Sequence, residues 1–281
     1  MVSGERRRVV VDHGVELSVI MRDTCSDSSA FLLVHGLASN ARLWDGTAEQ
    51  LLGAGHPSLA VDLRGHGRSG KPDDGYDFAR VAQDLARVVE SVLGRPVIVV
   101  GQSWGGNVAI EFAARHPDLV SGVVCIDGGF LRLADDFENW DSAARQLAPP
   151  DFSALTMDLL RERARHRFAD WPEGGIDGQL ANFEVDAAGR VTARLSRDRH
   201  MAILRHLWEH DPDRTAQRIG VPAMVLAVDE GREGRSERVE AFARSLGDAT
   251  VEWLDAHHDV HAQRPQEVAS LLAAFAERLG R

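Results

Sequence analysis

The chain has little of what would mark several function classes. Its 281 residues include two cysteines, Cys25 and Cys125. Two such residues make neither a disulfide framework nor a metal-ligand spacing. Cys125 lies within an apolar run and reads as a small core residue. No apolar stretch approaches the length of a membrane span. The N-terminal Met1-Val2-Ser3-Gly4-Glu5-Arg6-Arg7-Arg8 is basic but has no apolar segment behind it, so it does not read as a signal peptide. A cytoplasmic location without membrane attachment is the expectation. Positive charge is also short. The formal net charge of −11 argues against a nucleic-acid surface. The densest basic run, Arg161-Glu162-Arg163-Ala164-Arg165-His166-Arg167, has acidic neighbours and reads as a solvated helix face.

What remains is ordinary globular composition, 44% hydrophobic and 27% charged. The length suits one large domain, or one domain with an insertion. Short apolar runs alternate with longer amphipathic ones, which is an α/β pattern. Strands are expected at 30–35, 59–62, 97–100, 120–126, 223–228 and 250–254. Residues 9–19 read as two strands around a tight turn. A helix over 78–93 places Phe78, Val81, Ala82, Leu85, Val88, Val89 and Val92 on one face, with Arg80, Gln83, Asp84 and Arg87 opposite. A last helix over 265–279 opens at Pro265 and ends at Gly280. The alternation breaks between about Phe130 and Asp213. That stretch holds Trp140, Phe152, Trp171, Phe183 and Trp208, too long for a loop and too apolar for a disordered linker. It reads as a helical insertion, residues 130–213, folded over a core formed by 1–129 and 214–281. Its aromatic residues either line a cleft or form the insertion's own core.

The most specific local signal is Gly101-Gln102-Ser103-Trp104-Gly105-Gly106. It follows the apolar run Pro96-Val97-Ile98-Val99-Val100 and opens a helix-like segment, 107–115. A serine between glycines at a strand-to-helix turn is a strained elbow. It presents the hydroxyl at the positive end of the next helix. A serine hydroxyl needs a histidine to take its proton, an acid to orient that histidine, and two N–H donors for the oxyanion. One donor is expected at Trp104, the residue after the serine. The other is expected at Leu37, where the run Phe31-Leu32-Leu33-Val34 enters His35-Gly36. His35 reads as a turn histidine and His66 as a loop-fixing residue. For the base, three histidines compete in Ala256-His257-His258-Asp259-Val260-His261.

Taken together, the elbow, His35-Gly36, Asp62-Leu63-Arg64-Gly65-His66-Gly67-Arg68-Ser69 and His258-Asp259-Val260-His261-Ala262-Gln263-Arg264-Pro265 resemble the α/β-hydrolase fold superfamily. The likeness is closest to its capped esterase, perhydrolase and C–C hydrolase branch. The resemblance implies a mostly parallel eight-stranded sheet flanked by helices, with a helical cap inserted after the sixth strand. It also implies that the catalytic histidine is the first of an H-x-x-H before Arg-Pro, which matches His258. His261 then becomes a structural residue. In the commonest family pattern the acid stands at the position of Gly231, with Asp229 and Glu230 displaced beside it. A second family arrangement puts the acid after the strand that follows the nucleophile's helix. Here that position is Asp127, before Gly128-Gly129. Asp127 is the leading candidate, with Asp229 and Glu230 as alternatives.

A serine nucleophile on this scaffold implies cleavage of an ester, thioester, lactone or related acyl bond of a small, largely apolar substrate. C–C hydrolysis, cofactor-free perhydrolysis and a non-enzymatic ligand receptor are the alternatives. Gly65-x-Gly67 follows a strand but lacks the third glycine and downstream acid of a dinucleotide site. No cofactor and no metal are expected. The expected partner is a small-molecule substrate, bound by a monomer or a homodimer.

Overall fold

Six short apolar runs become the parallel strands of one sheet. The computed structural model describes residues 4–23, 27–229, 231 and 234–280. Cys25 and Glu230 lie outside the described residues. The strands in chain order are β1 (Glu5–Val10), β2 (Glu16–Arg22), β3 (Phe31–Val34), β4 (Ser58–Asp62), β5 (Val97–Gln102), β6 (Val120–Ile126), β7 (Phe183–Val185), β8 (Val191–Ala193), β9 (Ala223–Val228) and β10 (Ala249–Leu254). Eight of them form a sheet ordered β1-β2-β4-β3-β5-β6-β9-β10. The pairings from β4 to β10 are parallel, and β1–β2 and β2–β4 are antiparallel. β3, β4 and β5 are buried along their whole length, as strands covered on both faces must be.

The helices supply that cover. α1 (Asp45–Gly53), α2 (Phe78–Val92) and α3 (Trp104–Arg115) precede or follow the early strands. α4 (Leu133–Asp136), α5 (Trp140–Gln146), α6 (Met157–Arg167), α7 (Glu173–Leu180), α8 (Arg197–Glu209) and α9 (Pro212–Ala216) lie between β6 and β9. α10 (Arg235–Ser245), α11 (Val260–Gln263) and α12 (Pro265–Leu279) complete the chain. Leu32 and Val34 point to one face of the sheet, with α2, α3 and α10 residues such as Leu85, Phe112 and Phe242. Phe31 and Leu33 point to the other, with Leu51 of α1 and Leu272 and Phe275 of α12. This is the two-residue period of a strand separating two cores.

α2 departs from the sequence expectation at one residue. Asp84, assigned to the polar face, is buried. Both its oxygens accept from Arg64, from Nε and Nη2, at 2.7 Å each. A bidentate partner arriving from a loop is what lets a carboxylate enter the core. The Gly65-His66-Gly67 turn has a similar logic. It wraps around Asp62, whose carboxylate accepts from the backbone N–H of Ala41 at 2.8 Å and of Arg68 at 3.0 Å.

The segment between β6 and β9 is mainly helical but also contains a hairpin, β7–β8, which the sequence reading did not include. Its strands are three residues each, too short to show alternation. The turn is set by Asp186, whose Oδ1 accepts from Ala188 and Arg190 N–H at 2.9 Å each. The tryptophans of this segment pack internally. Trp171 stacks on Phe168 at 4.2 Å, and Trp140 meets Trp208 edge-on at 6.2 Å. Arg161 of α6 pairs with Asp177 of α7 at 2.7 Å, so the basic run is a surface face neutralised by its neighbour.

Both stems of the segment are held by one side chain. Asn107, on α3, donates from Nδ2 to Leu131 O at 2.9 Å and to His210 Nδ1 at 3.0 Å. His210 Nε2 in turn reaches Glu111 Oε1 at 3.3 Å, and Thr215 donates to the same oxygen at 2.7 Å. The bonds from His210, Thr215 and Arg115 hold the Glu111 carboxyl down at about 2, although burial, the largest single influence, opposes them. Among the described residues, no helix is long and apolar enough to cross a membrane.

Candidate active site

The parallel strands all end on one edge of the sheet, where an open α/β sheet places its ligand. The turns after β3, β5, β6 and β10 carry His35 to Ser39, Ser103, Asp127 and His258. Among the described residues, four non-glycine residues have positive φ: His13, Ala38, Ser103 and Asp127. Three of the four lie on this edge. Ser103 has φ 55° and ψ −127°, far from the allowed regions of an L-residue. Such a conformation costs about 1–3 kcal/mol and persists only where the surroundings fix it.

Two glycines make that fixation possible. A Cβ on Gly105 would sit 2.5 Å from His35 O, so the β3 loop packs directly on the elbow. A Cβ on Gly128 would sit 2.1 Å from Ser103 O, so the turn after β6 presses on it from the other side. Ser103 N donates to Ile126 O at 2.9 Å, and Gly106 N donates back to Ser103 O at 2.8 Å. Ser103 is half-buried at the N-terminus of α3, so its side chain meets the positive end of the helix.

The turn after β6 delivers a carboxylate to a histidine. Asp127 Oδ2 accepts from His258 Nδ1. Asp127 is buried, and its other oxygen accepts from Val228 N–H at 3.3 Å and from the Arg235 guanidinium. Arg235 also donates from Nε to Val228 O at 3.1 Å and lies over the Phe130 ring. Asp127 N donates to Leu226 O at 2.7 Å, which anchors the turn to β9. With the carboxylate accepting at Nδ1, that nitrogen carries the proton of the neutral His258 ring. Its backbone is tied to the nucleophile strand, because Gln102 Nε2 donates to His258 O at 3.1 Å.

The other sequence candidates fall elsewhere. Asp229 is exposed, and its Oδ1 accepts from Gly231 N–H at 2.9 Å, closing its own turn. His257 is exposed, with its backbone N–H on Gln263 Oε1 at 2.7 Å. His261 is wholly buried against Trp44, ring centroids 4.1 Å apart, and neither ring nitrogen has a partner. Burial takes it down to about 3.

His35 is also wholly buried. It accepts from Leu63 N–H on Nε2 at 3.0 Å, so Nδ1 carries the proton and donates to Gly36 O at 2.7 Å. It therefore bolts the loop after β3 to the loop after β4, and burial pushes it down to about 4. His66 binds Arg64 O through Nδ1 at 3.0 Å and stacks on Trp104 at 5.6 Å. Burial likewise drives it well below the ordinary imidazole range. Cys125 is buried with its thiol pushed up to about 12 by burial, so it stays a thiol. Leu37 stands between His35-Gly36, which abuts the elbow, and the left-handed Ala38. Its N–H donates to no group among the described residues, and Trp104 is the first residue of α3, where the helix leaves N–H groups free.

Arg235 had no counterpart in the sequence reading. An arginine in a charged loop carries no local signal that it will fold back on a strand-end aspartate. Among the described residues, no group of three or more His, Cys, Asp or Glu side chains is placed to hold a metal ion.

Between this edge and the β6–β9 segment lies a cavity of about 290 Å³. Ala38, Ser39 and Gly67 line it from the core, and Leu147, Phe152, Phe183 and His200 from the segment. Phe152 and Phe183 both line it and meet edge to face at 4.7 Å.

Comparison with known proteins places these features in context. A family model described as the alpha/beta hydrolase fold matches residues 29–172. A 2-(acetamidomethylene)succinate hydrolase of Mesorhizobium japonicum is 38% identical over 96 residues, 34% of this chain and 34% of that protein. A lipase of Mycobacterium tuberculosis, LipV, is 30% identical over 205 residues, 73% of this chain and 67% of its own. Among solved structures, an E-2-(acetamidomethylene)succinate hydrolase superposes with a TM-score of 0.78 at 21% identity, covering 98% of this chain and 99% of that one.

Proposed function

The chain belongs to the α/β-hydrolase fold family and is a hydrolase of it, and from that premise we propose that it cleaves an ester or thioester of a small, largely apolar substrate through Ser103, His258 and Asp127. The observation that carries this reading is the bond from His258 Nδ1 to the buried Asp127 carboxylate, on the same sheet edge as the strained Ser103.

Ser103 Oγ attacks the substrate carbonyl carbon while its proton passes to His258 Nε2. Asp127 holds the ring in the tautomer that leaves Nε2 open, and stabilises the imidazolium as it forms. The carbonyl oxygen becomes an oxyanion, received by the N–H groups of Leu37 and Trp104. The C–O or C–S bond to the leaving group then breaks, and that group takes the proton from His258. Water adds to the acyl-serine with His258 again as base, releasing the carboxylic acid and restoring Ser103. Each step balances with water as the only co-reactant.

Incubation with a fluorophosphonate, followed by peptide mass analysis, is expected to add one mass increment at Ser103. Ser103→Ala is expected to lose both the label and the turnover of short-chain nitrophenyl esters. Stoichiometric labelling elsewhere, with Ser103 unmodified, overturns the proposal.

A further inference from the structure

Another cavity, of about 250 Å³, opens between the core and the β6–β9 segment, and five arginines line it. Arg6 comes from β1, Arg42 from the turn before α1, Arg68 from the turn after β4, Arg161 from α6, and Arg194 stands just past β8. No two of them are neighbours in the chain, so the fold alone gathers them. The wall is mainly polar, which makes hydrocarbon a poor fit.

The nearby acids do not balance these cations. Two carboxylates share the wall, Asp62 and Asp177. Asp62 is sealed, its side chain 3% exposed, and it accepts from the N–H groups of Ala41 and Arg68 and from Arg6 at 3.4 Å. Asp177 pairs with Arg161 at 2.7 Å. The acids just outside the wall each serve two cations. Asp45 takes Arg42 and Arg22, Glu184 takes Arg194 and Lys71, and Glu173 takes Arg161 and Arg165. Arg68 is exposed, and its side chain pairs with no carboxylate among the described residues. Positive charge is thus in local excess, in a chain whose net charge is −11.

The excess is open to a ligand. Arg42 donates to Asp45 through Nε alone, and Arg194 to Glu184 through Nη1 alone. Their remaining guanidinium nitrogens donate to no group among the described residues, and none of these nitrogens is buried. The cations also feel one another. Burial is the main influence lowering the Arg6 guanidinium from its ordinary range; Asp62 and Asp45 oppose it, while Arg68 and Arg42 add to it. An anion that accepts from several of these groups at once relieves that repulsion. Guanidinium forks match the oxygens of carboxylates and phosphates alike. A carboxylate brings one negative charge to them, whereas a phosphate monoester brings about two and three acceptor oxygens.

We propose that this cavity binds a phosphoryl or pyrophosphoryl group, with Arg42, Arg68 and Arg194 as its donors. The lining includes neither Ser103 nor His258, so the proposal stands whatever bond Ser103 cleaves. The group arrives as the free ion or as the end of an organic phosphate.

Calorimetry on the full chain with inorganic pyrophosphate at low salt tests this. Binding is expected, and its affinity is expected to fall as sodium chloride is raised. Arg68→Gln is expected to weaken it by about 10-fold or more, the worth of a charge-assisted hydrogen bond. The Arg68 side chain pairs with no carboxylate in the fold, so this variant tests the ligand and not the folding. Arg42→Gln and Arg194→Gln are expected to act in the same direction. Arg87→Gln, on the exposed face of α2, is expected to change nothing. A nucleoside diphosphate that binds more tightly than pyrophosphate supports the site and assigns it to an organic phosphate. One that binds equally or more weakly supports it as a site for the free ion. Absence of pyrophosphate binding overturns the proposal, as does acetate binding of equal strength. Pyrophosphate binding that all three cavity substitutions leave within about twofold of the parent also overturns it.

Discussion

At the residue scale, the structure separates carboxylates that a sequence leaves equivalent. Asp127 and Asp229 both follow strands that end at the same edge, but only Asp127 meets His258; Asp229 closes its own turn. Asp127→Asn keeps the shape and disturbs the tautomer, so kcat for ester hydrolysis is expected to fall by a factor on the order of thousands. Asp229→Asn is expected to stay near the parent rate, with circular dichroism confirming that both variants fold. A collapse in Asp229→Asn with near-normal Asp127→Asn reverses the assignment. In the triad proposed above, Arg235 acts as a positioning residue through its contact with Asp127. Arg235→Gln is expected to lower kcat by about 10–100-fold. It removes a cation near the histidine and leaves Asp127 with His258 and the Val228 N–H. Both changes favour the imidazolium, so the acid limb of the pH–rate profile is expected to move to higher pH. A merely structural arginine would change the rate without moving that limb.

At the scale of elements, the strands were the most legible part of the chain. β6 and β9 have the bounds that their apolar runs imply, because burial on both faces leaves a near-continuous signal, and α12 has the bounds that Pro265 and Gly280 set. The β7–β8 hairpin was not legible, since three-residue strands carry no period and the turn rests on one aspartate. Asp84 was misplaced for a related reason. Periodicity reads only the helix, and the partner that draws Asp84 inward, Arg64, stands in a distant loop. In the site, the elbow and the histidine cluster were visible because glycine spacing and motif order are local. The link from Asp127 to Arg235 was not, because it is made only when β6 and β9 pair. The stems of the β6–β9 segment give a prediction at this scale. Asn107→Ala strips Leu131 O and His210 Nδ1 of their donor, at a cost of about 2 kcal/mol. Urea unfolding is expected to show that loss. Limited proteolysis is expected to cut first within 130–213.

At the scale of the whole molecule, the buried histidines set an acid limit. His35 and His261 are held down to about 4 and about 3 by burial, against about 6.5 for an unfolded imidazole. Between those values and 6.5 the unfolded chain binds more protons than the folded one. Stability is therefore complete above about pH 6.5 and is lost as pH falls towards 4, by up to about 1.4 kcal/mol per pH unit for each group. His261→Phe removes one of these groups where neither nitrogen has a partner. The difference in urea midpoint between pH 7 and pH 4.5 is expected to shrink in that variant. An unchanged difference would place the acid sensitivity elsewhere.

The clasp at Asn107 has a consequence for how this protein could change over time. One amide grips the chain where it leaves the sheet and where it comes back, so the two crossing points are neighbours on a single helix turn. The chain between them still touches the core, where Asn40 Nδ2 donates to Gly178 O at 2.9 Å and Gln179 Nε2 to Asp259 Oδ2 at 3.3 Å, but the sheet's own pairing runs without it. A segment of another shape, spliced in at the same two points and keeping those contacts, would inherit an intact sheet edge and bring its own taste in substrates. Transplanting the 130–213 segment of a related hydrolase is thus the shortest route by which this scaffold, in a laboratory or a lineage, acquires a new chemical diet.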